Sequence, residues 1–76
     1  MPGLKPVSDE TVIKILTKEY RFAVSGQSGS HVRLSKQTPQ GKVGTVVPLH
    51  RELTIGTLRG ILRLAKIEPE DFARYL

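Results

Sequence analysis

The sequence contains no cysteine and no tryptophan, and its aromatic residues are limited to two phenylalanines and two tyrosines. Without cysteine the chain has no disulfide, no thiolate metal site and no cysteine nucleophile. Its uninterrupted apolar runs are only two or three residues long, which excludes a membrane-spanning helix. Residues 1–10 lack the apolar segment of a secretory signal, so we expect a cytoplasmic protein.

The chain of 76 residues has room for a single domain. It cannot hold a dinucleotide-binding domain together with a substrate domain, and it cannot form a β/α barrel. A domain of about 60 residues buries only about 60% of its unfolded surface, so the core must be small. Hydrophobic residues make up 38% of the sequence, which favours a folded chain over a disordered one.

Acidic residues are scarce in the middle of the chain. The whole sequence has 12 basic and 7 acidic residues, a net charge of +5. Between Tyr20 and Lys66 there are eight basic residues and one acid, Glu52, so this stretch alone carries +7. Concentrated positive charge favours a polyanion as partner, and nucleic acid in particular. Basic residues also promote solubility, so charge alone leaves both interpretations open.

The first half of the sequence predicts one helix followed by strands. Pro2, Gly3 and Pro6 disfavour regular structure, so we expect a flexible tail over residues 1–7. Ser8 can cap a helix that starts immediately after it. The apolar stripe of this helix consists of Val12, Ile13, Leu16 and Tyr20. Apolar and polar residues then alternate in three segments separated by glycine- or proline-containing reversals, which predicts an antiparallel meander beginning near Tyr20.

The second half predicts two further helices. One has an apolar stripe formed by Leu58, Ile61, Leu62 and Ala65, and Thr54 or Thr57 can cap it. Gly60 either weakens this helix by about 1 kcal/mol or marks a close approach to a neighbour. A short helix starts near Pro69. The predicted fold class is α+β: an α-β-β-β-α sandwich with a three-stranded antiparallel sheet, helices on one face of that sheet and a short C-terminal helix.

Histidine is the residue best suited to proton transfer in this sequence. No Ser-His-acid set or phosphate-binding glycine loop is present, and a metal site is disfavoured because Glu52 is the only central acid. If Val32 and Leu34 face the helices, then His31 and Arg33 lie on the exposed face. RNA carries its own nucleophile, the 2′-hydroxyl, so a histidine and nearby cations suffice to cleave it without a metal or cofactor. A surface histidine that is merely solvated is the competing interpretation.

Three short motifs connect the sequence to a known family. They are Gly29-Ser30-His31-Val32, the segment from Val46 to His50 (Val-Val-Pro-Leu-His), and the segment from Ile55 to Leu62 (Ile-Gly-Thr-Leu-Arg-Gly-Ile-Leu). In this order and spacing, the sequence resembles the HicA (YcfA-like) toxins of bacteria and archaea, with similarity from Ser8 to Phe72. It departs from the common family pattern at Glu19–Phe22, where a Gly-Phe pair is usual.

The resemblance implies a double-stranded-RNA-binding-like fold over a single domain, residues 8–76. It also implies an mRNA interferase that cleaves RNA and is held inactive by a HicB-type antitoxin. His31 corresponds to the catalytic histidine of the family, Gly29 and Ser30 belong to the motif that presents it, and His50 is at most a helper. The alternatives are a non-catalytic RNA-binding module and a protein-interaction domain of the same fold.

The prediction of phosphate-binding residues is based on their charge and on the face they occupy, and not on the family motifs. We expect Arg33, Lys36, Arg59 and Arg63 to bind RNA phosphates. DNA binding has little support, because the sequence lacks the spacing of a helix-turn-helix.

Overall fold

The computed structural model describes residues 3–76 and has the predicted element order. In chain order the elements are α1 (Asp9–Glu19), β1 (Ala23–Ser28), β2 (His31–Thr38), β3 (Gly41–Pro48), α2 (Ile55–Ala65) and α3 (Pro69–Ala73). The strands form one antiparallel sheet in the order β1-β2-β3, with the helices packed over one of its faces. The predicted α+β fold class is therefore confirmed.

Helix α1 begins at its predicted cap. The Ser8 hydroxyl accepts a hydrogen bond from the Thr11 amide at 3.1 Å, and two acids in the first turn face the positive end of the helix dipole. The buried face consists of Val12, Ile15 and Leu16. At the other end Arg21 adopts a φ of 63°, which turns the chain sharply away from the helix axis. The first strand consequently starts at Ala23, three residues later than predicted.

The sheet alternates between a buried and an exposed face. Val32 and Leu34 are buried beneath the helices, whereas His31 and Arg33 are exposed, as the alternation predicted. A register shift between Val24 and Gly26 interrupts the β1–β2 ladder. This irregularity lies on an edge strand, where β-bulges are common.

Helix α2 covers strand β3. The Thr54 hydroxyl caps it by accepting from the Thr57 amide at 3.2 Å, and all four residues of the predicted stripe are buried. Thr45 is the only buried polar residue of the part of the chain that the structure describes, and its hydroxyl donates to the Ile61 carbonyl at 2.7 Å. This bond joins β3 to α2 across the core and satisfies a hydroxyl that would otherwise be costly to bury.

Helix α3 is attached to the end of α1 through aromatic contacts. The Tyr20 ring stacks on Phe72 at a centroid distance of 6.1 Å and meets Tyr75 edge-on at 5.7 Å. Its hydroxyl donates to an Asp71 carboxylate oxygen. Burial, followed by this hydrogen bond, raises the pKa of Tyr20 above its ordinary value. Tyr20 thus belongs to the core contacts of α3 instead of to the first strand.

The segment before α1 is attached to the domain at Val7. Val7 forms an isolated β-bridge with Leu53, in which the Leu53 amide donates to the Val7 carbonyl at 2.7 Å. Leu4 and Val7 are partly buried against the core. The flexible tail was predicted for residues 1–7, and Met1 and Pro2 lie outside the described residues. Across residues 3–76 no helix is long and apolar enough to span a bilayer.

Candidate functional site

A groove at one end of the sheet brings the two histidines together. His31 and His50 both line it, although they are nineteen positions apart in the sequence. Its volume is about 400 Å³, and its other lining residues are Pro48, Glu52, Leu53, Thr54 and Thr57. We call this the histidine groove. Both histidine side chains are exposed, so both imidazoles are accessible to a ligand.

His31 is held at the start of β2 by the turn that precedes it. Gly29 has a φ of 58°, which the first position of a two-residue hairpin turn requires and a side chain disfavours. Ser28 and Pro48 pair with His31 from the strands on either side. The Ser30 carbonyl accepts from the Leu49 amide at 2.7 Å. The motif residues Gly29 and Ser30 therefore fix the backbone from which the imidazole projects.

His50 is anchored through its backbone to helix α1. The His50 carbonyl accepts a hydrogen bond from the Asp9 amide at 3.0 Å. The preceding residue, Leu49, is hydrogen-bonded to Ser30. The segment that leaves β3 is therefore held by backbone bonds both to the turn before β2 and to the start of α1. The two histidines thus share a groove because the ends of β2 and β3 are adjacent in the sheet, with His31 paired to Pro48.

The third component of the histidine groove is the start of helix α2. Thr54 and Thr57 line the groove, and the first turn of α2 contains no acidic residue. The amides of Thr57 and Leu58 bond to Thr54, which leaves those of Ile55 and Gly56 as the helix-end donors. The positive end of a helix dipole favours an anion at this position. Sequence reasoning missed this feature, although the absence of acids after Thr54 was a visible signal.

The four residues predicted to bind phosphate lie outside the histidine groove. Arg33 extends across β1 on the exposed face, where its guanidinium occupies the space that a Cβ of residue 26 would need. Lys36 lies on the helix-facing side of β2. Its ammonium donates to the Tyr20 carbonyl at 3.1 Å and lies 4.8 Å from the centre of the Phe22 ring. The absence of a side chain at Gly26 therefore leaves space for the Arg33 guanidinium, whereas the Lys36 ammonium already interacts with Tyr20 and Phe22.

Arg59 and Arg63 line a separate groove that runs from the middle of α2 to its C-terminal end. This cavity has a volume of about 470 Å³, and its other lining residues are Leu62, Lys66, Ile67, Glu68 and Pro69. We call it the basic groove. Within residues 3–76 the one salt bridge joins Arg74 to Asp71, so the three cations of the basic groove have no acidic partner there. Nor do three or more histidine or acidic side chains of residues 3–76 come together as a metal-binding cluster.

Fold and site together define a small α+β domain that combines an exposed two-histidine groove with a basic groove. The comparison with protein families identifies it more closely. The model of the family described as the HicA toxin of bacterial toxin–antitoxin matches residues 10–67, most of the chain. The protein therefore belongs to the HicA toxin family and is the toxin of a toxin–antitoxin system, which confirms the resemblance seen in the sequence. A search of curated proteins found no match.

Proposed function

We propose that this toxin is an endoribonuclease, an mRNA interferase, that cleaves RNA in the histidine groove with the substrate 2′-hydroxyl as nucleophile. The observation that carries the proposal is the convergence of His31, His50 and the acid-free start of α2 on one exposed groove. Each element matches one requirement of the reaction: proton transfer at two oxygens, and compensation of charge on the phosphate between them.

The chemistry is a transesterification at phosphorus. One imidazole removes the proton from the 2′-oxygen, which attacks the adjacent phosphorus to give a phosphorane. The bond between phosphorus and the 5′-oxygen then breaks, and the leaving oxygen takes a proton from an acid. The products are a 2′,3′-cyclic phosphate and a 5′-hydroxyl. His31 supplies one of the two proton-transfer groups, and its neighbour His50 is the candidate for the other.

Charge on the phosphorane would be stabilised by the start of α2. The Ile55 and Gly56 amides can donate to a phosphate oxygen at this position, and the Thr54 hydroxyl keeps the helix end in place. Arg33 is the cation on the same sheet face as His31 and can hold a flanking phosphate. A cofactor is not required by this scheme. In the cell, we expect the partners to be mRNA and a HicB-type antitoxin, and the location to be the cytoplasm.

The deciding experiment compares wild type and His31→Ala on an end-labelled single-stranded RNA, with and without EDTA. We expect cleavage by the wild type in both conditions, a 2′,3′-cyclic phosphate product, and a loss of about 100-fold or more in His31→Ala with RNA binding retained. His50→Ala tests the second proton-transfer role by removing one limb of the pH–rate profile.

Two results would contradict the proposal. Equal cleavage by His31→Ala and wild type would remove His31 from the mechanism, and loss of cleavage in EDTA would indicate a metal-dependent reaction. If the wild type binds RNA and cleaves none, the alternative of a non-catalytic RNA-binding module replaces the proposal.

A further inference from the structure

The basic groove contains cations that the proposed cleavage step does not use. Arg59 and Arg63 are four residues apart and project from one side of α2, and Lys66, the residue that ends the helix, lines the same groove. Glu68 is the single acid that lines the groove with them. No salt bridge within residues 3–76 joins any of these three cations to an acid, so the groove keeps a net positive charge even with Glu68 present. It therefore favours an anionic ligand with several charges.

Lys66 is held in a backbone conformation that its side chain does not favour. It ends α2 with a φ of 60° and a ψ of 41°, in the left-handed region where glycine is the usual residue. A residue with a Cβ costs about 1–2 kcal/mol in this conformation. Glycine at position 66 would relieve that cost, so a lysine there gives up stability. Strain of this kind is typical of residues retained for binding.

The basic groove offers little that a protein interface requires. No aromatic side chain lines it, and of its apolar members Leu62 and Ile67 are buried in the core while Pro69 is half-buried. Protein interfaces depend on apolar and aromatic anchors that enter a desolvated centre. Three exposed cations beside a shallow cavity instead resemble the contacts that proteins make to a phosphate backbone.

We infer that the basic groove is a second binding site on this toxin, which holds the phosphodiester backbone of single-stranded RNA at a distance from the cleaved bond. The inference rests on the proposed function, because it assigns cleavage to the histidine groove. Thr57 of the histidine groove and Lys66 at the far edge of the basic groove are nine residues apart, about 14 Å at a rise of about 1.5 Å per residue, and Arg59 and Arg63 lie between them. A stacked strand rises about 3.4 Å per nucleotide, so the basic groove reaches about four nucleotides from the histidine groove.

The main test uses the double variant Arg59→Ala/Arg63→Ala and the matched control Lys14→Ala/Lys18→Ala. The control removes the same charge from exposed positions of α1, at a different surface. Steady-state cleavage is measured on a 20-nucleotide RNA and on a dinucleotide. We expect the double variant to raise KM for the long RNA at least 10-fold, with kcat within 2-fold and the dinucleotide unaffected. Two lost contacts lower the slope of log Kd against log salt by about 1.4.

A second variant, Lys66→Gly, separates binding from folding. We expect a higher Tm, because glycine relieves the left-handed conformation, together with a KM for the long RNA raised several-fold. A merely structural lysine would not show this combination. Glu68→Gln, which removes the one acid of the basic groove, is expected to lower KM.

The outcomes distinguish this inference from the proposed function. Equal increases of KM in the double variant and in the α1 control would show general attraction and would overturn the second site. Unchanged KM with lost binding of the antitoxin would identify a docking surface for an acidic protein and would also overturn it. A wild type that binds RNA through Arg59 and Arg63 without cleaving it would refute the nuclease and leave the second site standing. Failure to bind any RNA would refute both.

Discussion

Gly60 provides the sharpest test of how α2 is stabilised. It lies inside the helix, where glycine costs about 1 kcal/mol relative to alanine because its backbone is freer in the unfolded chain. A Cβ built at Gly60 meets no atom within 4 Å, so alanine causes no clash. We expect Gly60→Ala to stabilise the domain by about 0.5–1 kcal/mol. For a domain of this size, that is a rise in Tm of about 2–8 °C.

The assay is thermal and urea unfolding followed by circular dichroism, with Gly41→Ala as the control. Gly41 has a φ of 121° and also has open space around it, so a Cβ there is opposed by backbone conformation alone. Gly41→Ala should therefore lower the Tm. If Gly60→Ala lowers the Tm as well, the reasoning is refuted, because a neighbour must then contact the helix at that point. An unchanged urea m-value would show that the variant acts on stability and leaves the compactness of the unfolded state as it was.

Two further predictions concern polar contacts inside the fold. Tyr20→Phe removes the hydrogen bond to Asp71 and should cost about 1 kcal/mol near neutral pH in urea unfolding. Because folding raises the pKa of Tyr20, the contribution of Tyr20 to the free energy of unfolding is complete below a pH of about 10 and is lost as the pH rises beyond that value. Tyr20→Phe should therefore reduce the loss of stability at alkaline pH. An unchanged pH dependence would contradict this. Thr45→Val keeps the shape of the side chain but loses its bond to the Ile61 carbonyl, so we expect a loss of about 0.5–1.5 kcal/mol, and Thr45→Ala should cost more because it also leaves a cavity.

Periodicity predicted most of the fold because each element has a single buried face. The stripe of α2 and the alternation of β2 were both correct, since packing in a two-layer domain leaves little choice of which residues face inward. The start of β1 was wrong because Tyr20 and Phe22 alternate like strand residues. The Tyr20 ring instead packs on α3, and the left-handed turn at Arg21 separates Tyr20 from the strand. A positive φ at an arginine has no signature in the sequence.

The site was predictable only in part, because it combines local and long-range features. Alternation along β2 was enough to place His31 on the exposed face. Its proximity to His50 depends on sheet register and on the bond between Ser30 and Leu49, and neither is visible in local sequence. Lys36 was predicted to bind phosphate because of its charge. It lies on the same face of β2 as the buried Val32, however, and its ammonium group lies over the Phe22 ring. Its phosphate contact stays a prediction, as do those of Arg33, Arg59 and Arg63.

Stability and the proposed binding rest on different residues in this protein. The core is formed by apolar side chains from all three helices and the sheet, while the one salt bridge among residues 3–76 is exposed and adds little. Arg59 and Arg63 take no part in the core or in that salt bridge, so neutralising either one should change binding without unfolding the domain. The same separation constrains an inhibitor. Because the basic groove runs from the middle of α2 to its C-terminal end, away from the acid-free helix start, a protein that blocks both must present negative charge along the length of that helix.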